Sequence, residues 1–449
     1  MTAVSFFYSA PVLETVVAQP PSTVPVAGII ALIASFFLGA LLATKLSIRL
    51  GLPSILGVLL LGIMINVPFF DSFMNEAMVE VLHSSTLSLL LFYAGLSTNF
   101  LSLRGLISFG LCLAAGGVVL SSCLLAGLIW MISVMAHNAL PSLPLIPISA
   151  CFLMAACLAS TDAGATISML KNVETVVSKR VQCVLQFESS LNDPIAILFL
   201  TISAGIFSAL NRFEARAFVP VALQFQVFLR NVGSGILCGL ILSYLSQYIL
   251  KSILTSRDQI LVLGMAIAMA SFGFTTLIGG SGYVACFVTG LFLSNNIYDN
   301  PHITHELLED SLEPFSAMME LIIFLLFGLL FDPAKVFSYI VPGFGIALGL
   351  MILVRPVSVL TFRRLAPLSD QEMTLICWCG LRGAVPLALT YELIHELPSV
   401  TGLTGVELLT LGEYIQTLVF IIVIVNLCFQ GFTLPRFSRW LSSQSLPTN

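Results

Sequence analysis

The sequence predicts an all-α integral membrane protein of about thirteen transmembrane helices. Three observations lead there. The 449 residues are 58% hydrophobic and 9% charged, with a mean hydropathy of +1.03. Apolar runs near the roughly 20 residues that cross a bilayer recur along the whole chain. Most of the basic residues fall between those runs.

The expected spans cover 26–49, 53–69, 82–100, 106–135, 146–170, 181–209, 232–250, 259–279, 282–296, 314–331, 337–360, 373–394 and 409–431. Lys45 and Arg49 close the first span, Arg104 separates the third from the fourth, and Lys171, Lys179 and Arg180 separate the fifth from the sixth. The stretch 212–231 is punctuated by polar residues and reads as an interfacial segment leading into the seventh. Lys251 and Arg257 follow the seventh, Arg363 and Arg364 the eleventh, and Arg436 and Arg439 the thirteenth.

Placing the N-terminus outside puts those twelve on the cytoplasmic side, against Arg212, Arg216, Arg230 and Lys335 on the other. Arg355 and Arg382 remain within spans. The expected organisation is therefore an outer N-terminal segment (1–25), a membrane domain (26–431) and a short cytoplasmic tail (432–449) in a prokaryotic inner membrane. No basic n-region marks a signal peptide, since the first Lys or Arg is Lys45.

Thirteen spans divide as six, one and six, which makes the fifth and twelfth equivalent in an inverted repeat. Both carry an interruption beside an ionisable residue: Thr161-Asp162-Ala163-Gly164 in the fifth, and Gly380-Leu381-Arg382-Gly383-Ala384-Val385-Pro386 in the twelfth. Unwound backbone at membrane depth must be buried in protein or line a cavity. Gly and Pro also serve simply to kink or to pack closely, but both breaks here hold a charge.

The sixth span carries Glu188-Ser189-Ser190-Leu191-Asn192-Asp193-Pro194. An ionised acid at mid-bilayer depth costs at least ~2.5–3.5 kcal/mol. Asp162, Glu188 and Asp193 thus require compensation, and a cation or a proton is the simplest source. At ~100° per residue, Glu188 and Asp193 stand about 140° apart around their helix, too far to act as a touching dyad. The expectation is a structural ion pair between Glu188 and Arg382, leaving Asp193 to change partners.

Asp193 can become tolerable by taking a proton or by coordinating a small alkali cation, with Thr161 and Ser189 supplying further oxygens. One carboxylate with those two states makes cation and proton compete, and competition coupled to alternating access is antiport. Asp162 either contributes to this site or caps the helix after the break.

These residues resemble the CPA1-type monovalent cation:proton antiporters, particularly the NhaP-type sodium/proton antiporters and their potassium/proton relatives. Three motifs stand in family order across residues 26–431, with weaker matches at Gly280-Ser281-Gly282-Tyr283 and Gly328-Leu329-Leu330. The resemblance implies an NhaA/NhaP-like antiporter fold, a homodimer, and a six-helix ion-carrying bundle moving against dimerisation helices. It also implies that Asp193 binds the ion, with Thr161, Asp162, Glu188 and Ser189 around it, and that Asn192 and Arg382 hold the site. Members with Asn-Asp at this place resemble electroneutral exchangers.

Two departures stand out. Leu91-Phe92-Tyr93-Ala94-Gly95-Leu96 lacks the acid often found there in relatives. The large cytoplasmic tail of many potassium-handling relatives is expected to be absent.

Sodium, with lithium accepted, is the expected cargo, and potassium is the alternative. An intramembrane hydrolase would need a His or Lys base near Ser189, and none is at that depth. A passive channel fits a titratable Asp between broken helices less well than a carrier does. No cofactor, enzyme activity or nucleic-acid partner is expected. The ten cysteines sit almost wholly in apolar segments and read as core residues.

Glu320 and Glu392 are expected at the two ends of their spans, within reach of an interface. Arg355, beside Pro356, is expected as a structural charge near the inner end, with snorkelling or pairing with an acid as the alternative. His302 and His305 are expected in a cytoplasmic loop as ordinary surface.

Overall fold

The computed structural model describes residues 26–50, 53–65, 76–98, 105–171, 178–212, 218–253, 258–295, 305–329 and 333–444. The chain is all-helical over them. The first five helices are α1 (Val26–Arg49), α2 (Ser54–Ile65), α3 (Glu76–Leu96), α4 (Ile107–Leu111) and α5 (Gly117–Ala139), the last two joined by a π-helical turn over Cys112–Gly116. Then come α6 (Ile148–Cys157), α7 (Ala163–Lys171), α8 (Lys179–Arg212), α9 (Phe218–Ile253), α10 (Asp258–Leu277), α11 (Gly282–Ser294) and α12 (His305–Leu329). The last five are α13 (Pro333–Gly349), α14 (Arg355–Thr361), α15 (Asp370–Trp378), α16 (Ala384–Thr401) and α17 (Gly405–Gln444), with a second π-helical turn at Leu350–Val354 between α13 and α14.

Seven helical stretches among the described residues are long and apolar enough to cross a membrane. Their outer faces are apolar as well. Leu237, Ile241 and Tyr244 on α9 are more than 40% exposed, as suits a chain whose solvent is lipid.

Several boundaries differ from expectation. The residues from 218 onward are not a separate interfacial segment but the first part of α9, whose Pro220 sits in the opening turn where proline is tolerated. Helix α12 begins at His305 and passes through Pro314, nine residues before the expected start. Helix α17 passes through Pro435 and runs to Gln444, so most of the expected tail is helical. The expected outer segment, residues 1–25, and His302 lie outside the described residues.

The helices pack in two groups. In one, α3 lies against α11 and α12, α2 against α1 and α12, and α11 against α9 and α10. In the other, α6, α8, α16 and α17 surround the site, with α5 packed on α6 and α13 on α17. Small residues set the closest crossings, the usual device where helices associate in lipid. A Cβ added at Gly290 would lie 2.1 Å from the Phe92 carbonyl oxygen, and one at Gly95 would lie 2.2 Å from that of Phe287, so α3 and α11 touch backbone to backbone.

Candidate functional site

Two non-helical stretches meet in the centre. Residues 158–162 separate α6 from α7, and residues 379–383 separate α15 from α16. Because both leave backbone groups without intrahelical partners, they satisfy each other. The Asp162 amide donates to the Leu381 carbonyl at 2.7 Å, and the Arg382 amide donates to the Asn426 side chain of α17 at 2.8 Å. Arg382 Nη1 donates to the Ser160 carbonyl at 2.7 Å. Gly383 is required by space: a Cβ there would stand 2.2 Å from Asp162 Oδ2.

Helix α8 closes the site from one side. Ser189 donates its hydroxyl to the Thr161 carbonyl at 2.7 Å and accepts from the Ala163 amide at 3.1 Å. Asn192 Nδ2 donates to Thr161 Oγ1 at 2.6 Å. Four residues apart on one face, Ser189 and Asp193 both look toward the break. Asp193 accepts a hydrogen bond from the Ser160 hydroxyl.

Asp162 caps α7, its Oδ1 accepting from the Ala165 amide at 2.9 Å, and it lines the same cavity as Glu320 of α12.

A cavity of about 540 Å³ opens onto these groups. Thr161, Asp162, Ser189, Asp193 and Glu320 line its depth, and Glu309, Asp310 and Glu313 on the first turns of α12 also line it. The structure thus brings Asp193, Asp162, Thr161 and Ser189 together, with Asn192 holding Thr161 from behind.

Glu188 does not join them. Both of its carboxylate oxygens are taken by Arg355, through Nη1 and through Nη2 at 2.9 Å. Arg355 Nη2 also donates to the Cys379 carbonyl at 2.9 Å, tying α8 and α14 to the second break. The expected Glu188–Arg382 pair is therefore corrected: Arg382 points at the Ser160 carbonyl, and Arg355 neutralises Glu188. Glu188 is also removed from the cation ligand set, since it faces α14 and does not line the cavity. The cause is angular. The 140° between Glu188 and Asp193 turns them to different neighbours, and the helix carrying Arg355 occupies the Glu188 side.

Sequence reasoning missed Ser160 and Glu320. The signal for Glu320 was an acid inside an apolar run, obscured by setting the span start at 314. From His305, Glu320 is fifteen residues along α12, roughly 22 Å at 1.5 Å per residue.

At the far end of α16, contacts again link the two helix groups. His83 Nε2 of α3 lies 2.9 Å from the Ala388 carbonyl, and the Tyr283 hydroxyl of α11 donates to Glu392 at 3.0 Å. Glu392 is thus half-buried and held by α11 instead of reaching an interface.

An all-helical membrane protein with carboxylates where two buried non-helical stretches meet is built as a transporter is. Residues 32–440 match the family described as "Sodium/hydrogen exchanger, transmembrane". The chain belongs to that family, one of cation:proton antiporters and not of enzymes.

Among its relatives, the K(+)/H(+) antiporter NhaP2 of Shewanella baltica is 30% identical over 431 residues, covering 92% of this chain and 68% of the relative. The "Probable Na(+)/H(+) antiporter 2" of Methanocaldococcus jannaschii is 26% identical, covering 88% of this chain and 93% of the relative. The solved structure of the sodium proton antiporter MjNhaP1 from Methanocaldococcus jannaschii at pH 8 superposes with a TM-score of 0.73 at 22% identity, covering 92% of this chain and 99% of that one.

Proposed function

We propose that this chain exchanges one monovalent alkali cation for one proton across the membrane, with Asp193 as the exchanging carboxylate. The observation that carries the reading is Asp193 itself, lining the cavity at the junction of the two breaks beside the Ser160 hydroxyl. In one state Asp193 holds a proton and is neutral. In the other it is ionised and binds the cation, with Thr161, Ser189 and Asp162 around it supplying hard oxygens. A proton and a cation cannot both hold the same carboxylate oxygens, so each ligand expels the other.

Sodium, with lithium accepted, is the cargo we favour. Potassium is the second reading, supported by relatives named K(+)/H(+) antiporters.

The same proposal covers the architecture. Grouping α4 with α5, α6 with α7, α13 with α14 and α15 with α16 gives thirteen passes, with interrupted fifth and twelfth spans and an inverted six-one-six repeat. The two packing groups then correspond to dimerisation helices and a six-helix ion-carrying bundle. The distribution of basic residues favours an N-terminus outside and a C-terminus in the cytoplasm, in a prokaryotic inner membrane. On that orientation the cavity opens inward, since the first turns of α12 lie on the cytoplasmic side.

The test is reconstitution into liposomes carrying a pH-sensitive dye, with sodium, lithium and potassium gradients imposed in turn. Cation-driven proton flux is expected from the wild type, and none from Asp193→Asn, whose amide cannot take up and release the proton. Substantial exchange by a correctly inserted Asp193→Asn would remove Asp193 from the centre of the mechanism.

A further inference from the structure

Ser160, Thr161 and Ser189 line the cavity with Asp193, and their hydroxyl groups are committed differently. Ser189 donates to the Thr161 carbonyl at 2.7 Å and accepts from the Ala163 amide at 3.1 Å, which ties α8 to the first break. Thr161 Oγ1 is held by Asn192 Nδ2 at 2.6 Å. The Ser160 hydroxyl donates to Asp193 Oδ1, and among the described residues it is the only group that hydrogen-bonds this carboxylate.

Ser160 is itself firmly placed. It is 1% exposed, in the break between α6 and α7. Its backbone carbonyl accepts from Arg382 Nη1 at 2.7 Å, and two residues on, the Asp162 amide donates to the Leu381 carbonyl at 2.7 Å. The second break thus fixes the segment that carries the hydroxyl. One end of the Ser160–Asp193 bond is anchored where the two breaks cross, and the other end belongs to a different element, α8.

A carboxylate turns readily about its terminal torsion, whose wells are broad. A hydroxyl donating to a charged oxygen is one of the stronger restraints it can meet. Held at Oδ1, Asp193 presents Oδ2 to the cavity in a set position relative to the Thr161 and Ser189 oxygens. Discrimination between cations follows from the number, spacing and stiffness of the oxygens around them. Without the hydroxyl the carboxylate is free to turn, and that spacing is no longer set.

We propose that Ser160 is a positioning residue that determines cation preference: its hydroxyl fixes the Asp193 carboxylate against the first break and so sets the oxygen spacing that the cargo meets. Ser160 acts through Asp193 and not as a ligand of its own. The inference rests on the antiport reading and names the residue that makes its site sensitive to cation size.

Ser190 supplies a control. It lines the same cavity, but its hydroxyl donates to the Gln186 carbonyl of its own helix at 2.8 Å. Removing it takes a hydroxyl from the cavity without loosening Asp193.

The test is cation-driven proton flux in liposomes, with sodium, lithium and potassium titrated separately. Ser160→Ala should raise KM for the preferred cation about tenfold while kcat stays within about threefold of wild type. It should also shrink the KM ratio between the most and least favoured cations at least about fivefold. Ser160→Thr, which keeps the hydroxyl, should bring both values back to within about threefold of wild type, and Ser190→Ala should leave them there.

Unchanged KM values in a correctly inserted Ser160→Ala overturn the proposal. Equal effects of Ser160→Ala and Ser190→Ala do the same, as does an inserted Ser160→Thr that restores neither value. If Ser160→Thr has no room for its methyl group and does not insert, the two alanine variants decide between them.

Thermal unfolding in detergent separates this proposal from the antiport reading. Sodium or potassium chloride is compared with choline chloride at equal ionic strength, since a ligand that binds only the folded state raises its unfolding temperature. A wild type without proton flux contradicts the antiport reading, and the cation-dependent rise then decides for Ser160. The rise should appear in wild type and Ser190→Ala and be at least about halved in Ser160→Ala. An equal rise in all three, or none in the wild type, overturns the proposal.

Discussion

Two arginines, Arg355 on α14 and Arg382 in the non-helical stretch before α16, lie buried, and they do different work. Arg355 satisfies a carboxylate and a carbonyl at once, joining three segments through one planar fork. Arg382 reaches a backbone carbonyl across the junction.

The distinction sets up a double-mutant comparison. Glu188→Ala and Arg355→Ala should each cost about 3–5 kcal/mol, because each strands a buried charge. Together they should cost much less than the sum, read as thermal unfolding in detergent. Additive losses would mean that the two side chains do not meet. Gly383→Ala is a separate case, because its Cβ would press on the Asp162 carboxylate itself. It should leave the protein folded but cut exchange at least about tenfold, by displacing the Asp162 carboxyl group from its place in the cavity.

The motif residues were legible in the sequence because their types are costly in a membrane: an acid there needs a reason. Which arginine meets which acid was not legible. That depends on how far α8 is rotated against α14, and residue identity carries no such angle. Ser160 was equally hidden, since a hydroxyl in an apolar run is cheap and draws no attention.

At the scale of helices, backbone crossings organise the frame that holds the site. The α3–α11 contact leaves no room for a methyl group at Gly290 or Gly95. Gly290→Ala should push the pair apart and destabilise by about 1–3 kcal/mol, visible as a lower unfolding temperature in detergent. Gly127, whose added Cβ meets nothing within 4 Å, provides the control, and Gly127→Ala should be neutral or slightly stabilising.

The pattern of apolar runs located the helices but misjudged some ends. It stopped α17 and delayed α12 at polar residues, and both helices continue through a proline instead. Polar residues mark where apolar composition stops; they do not stop helical hydrogen bonding. The error mattered most on α12, where it hid an acid of the site.

Across the whole molecule, the contacts between the two helix groups lie at two levels. At the cavity, Glu320 of α12 and Asp162 line the same space. Farther along α16, His83 and Tyr283 hold the Ala388 carbonyl and Glu392. On the proposed antiport reading, alternating access exchanges one set of such contacts for another, while the charge carried each way stays equal.

That balance is the account's central claim, and transport current tests it most directly. Moving one charge through 100 mV is worth ~2.3 kcal/mol, so an unbalanced cycle would respond strongly to voltage. Wild-type proteoliposomes on a solid-supported membrane, driven by a sodium or potassium gradient, should exchange protons without a sustained current and at a rate indifferent to a valinomycin-set potential. A steady current, or a rate that follows the potential, would contradict one-for-one exchange at Asp193 and mean that a second acid in the cavity gives up its proton.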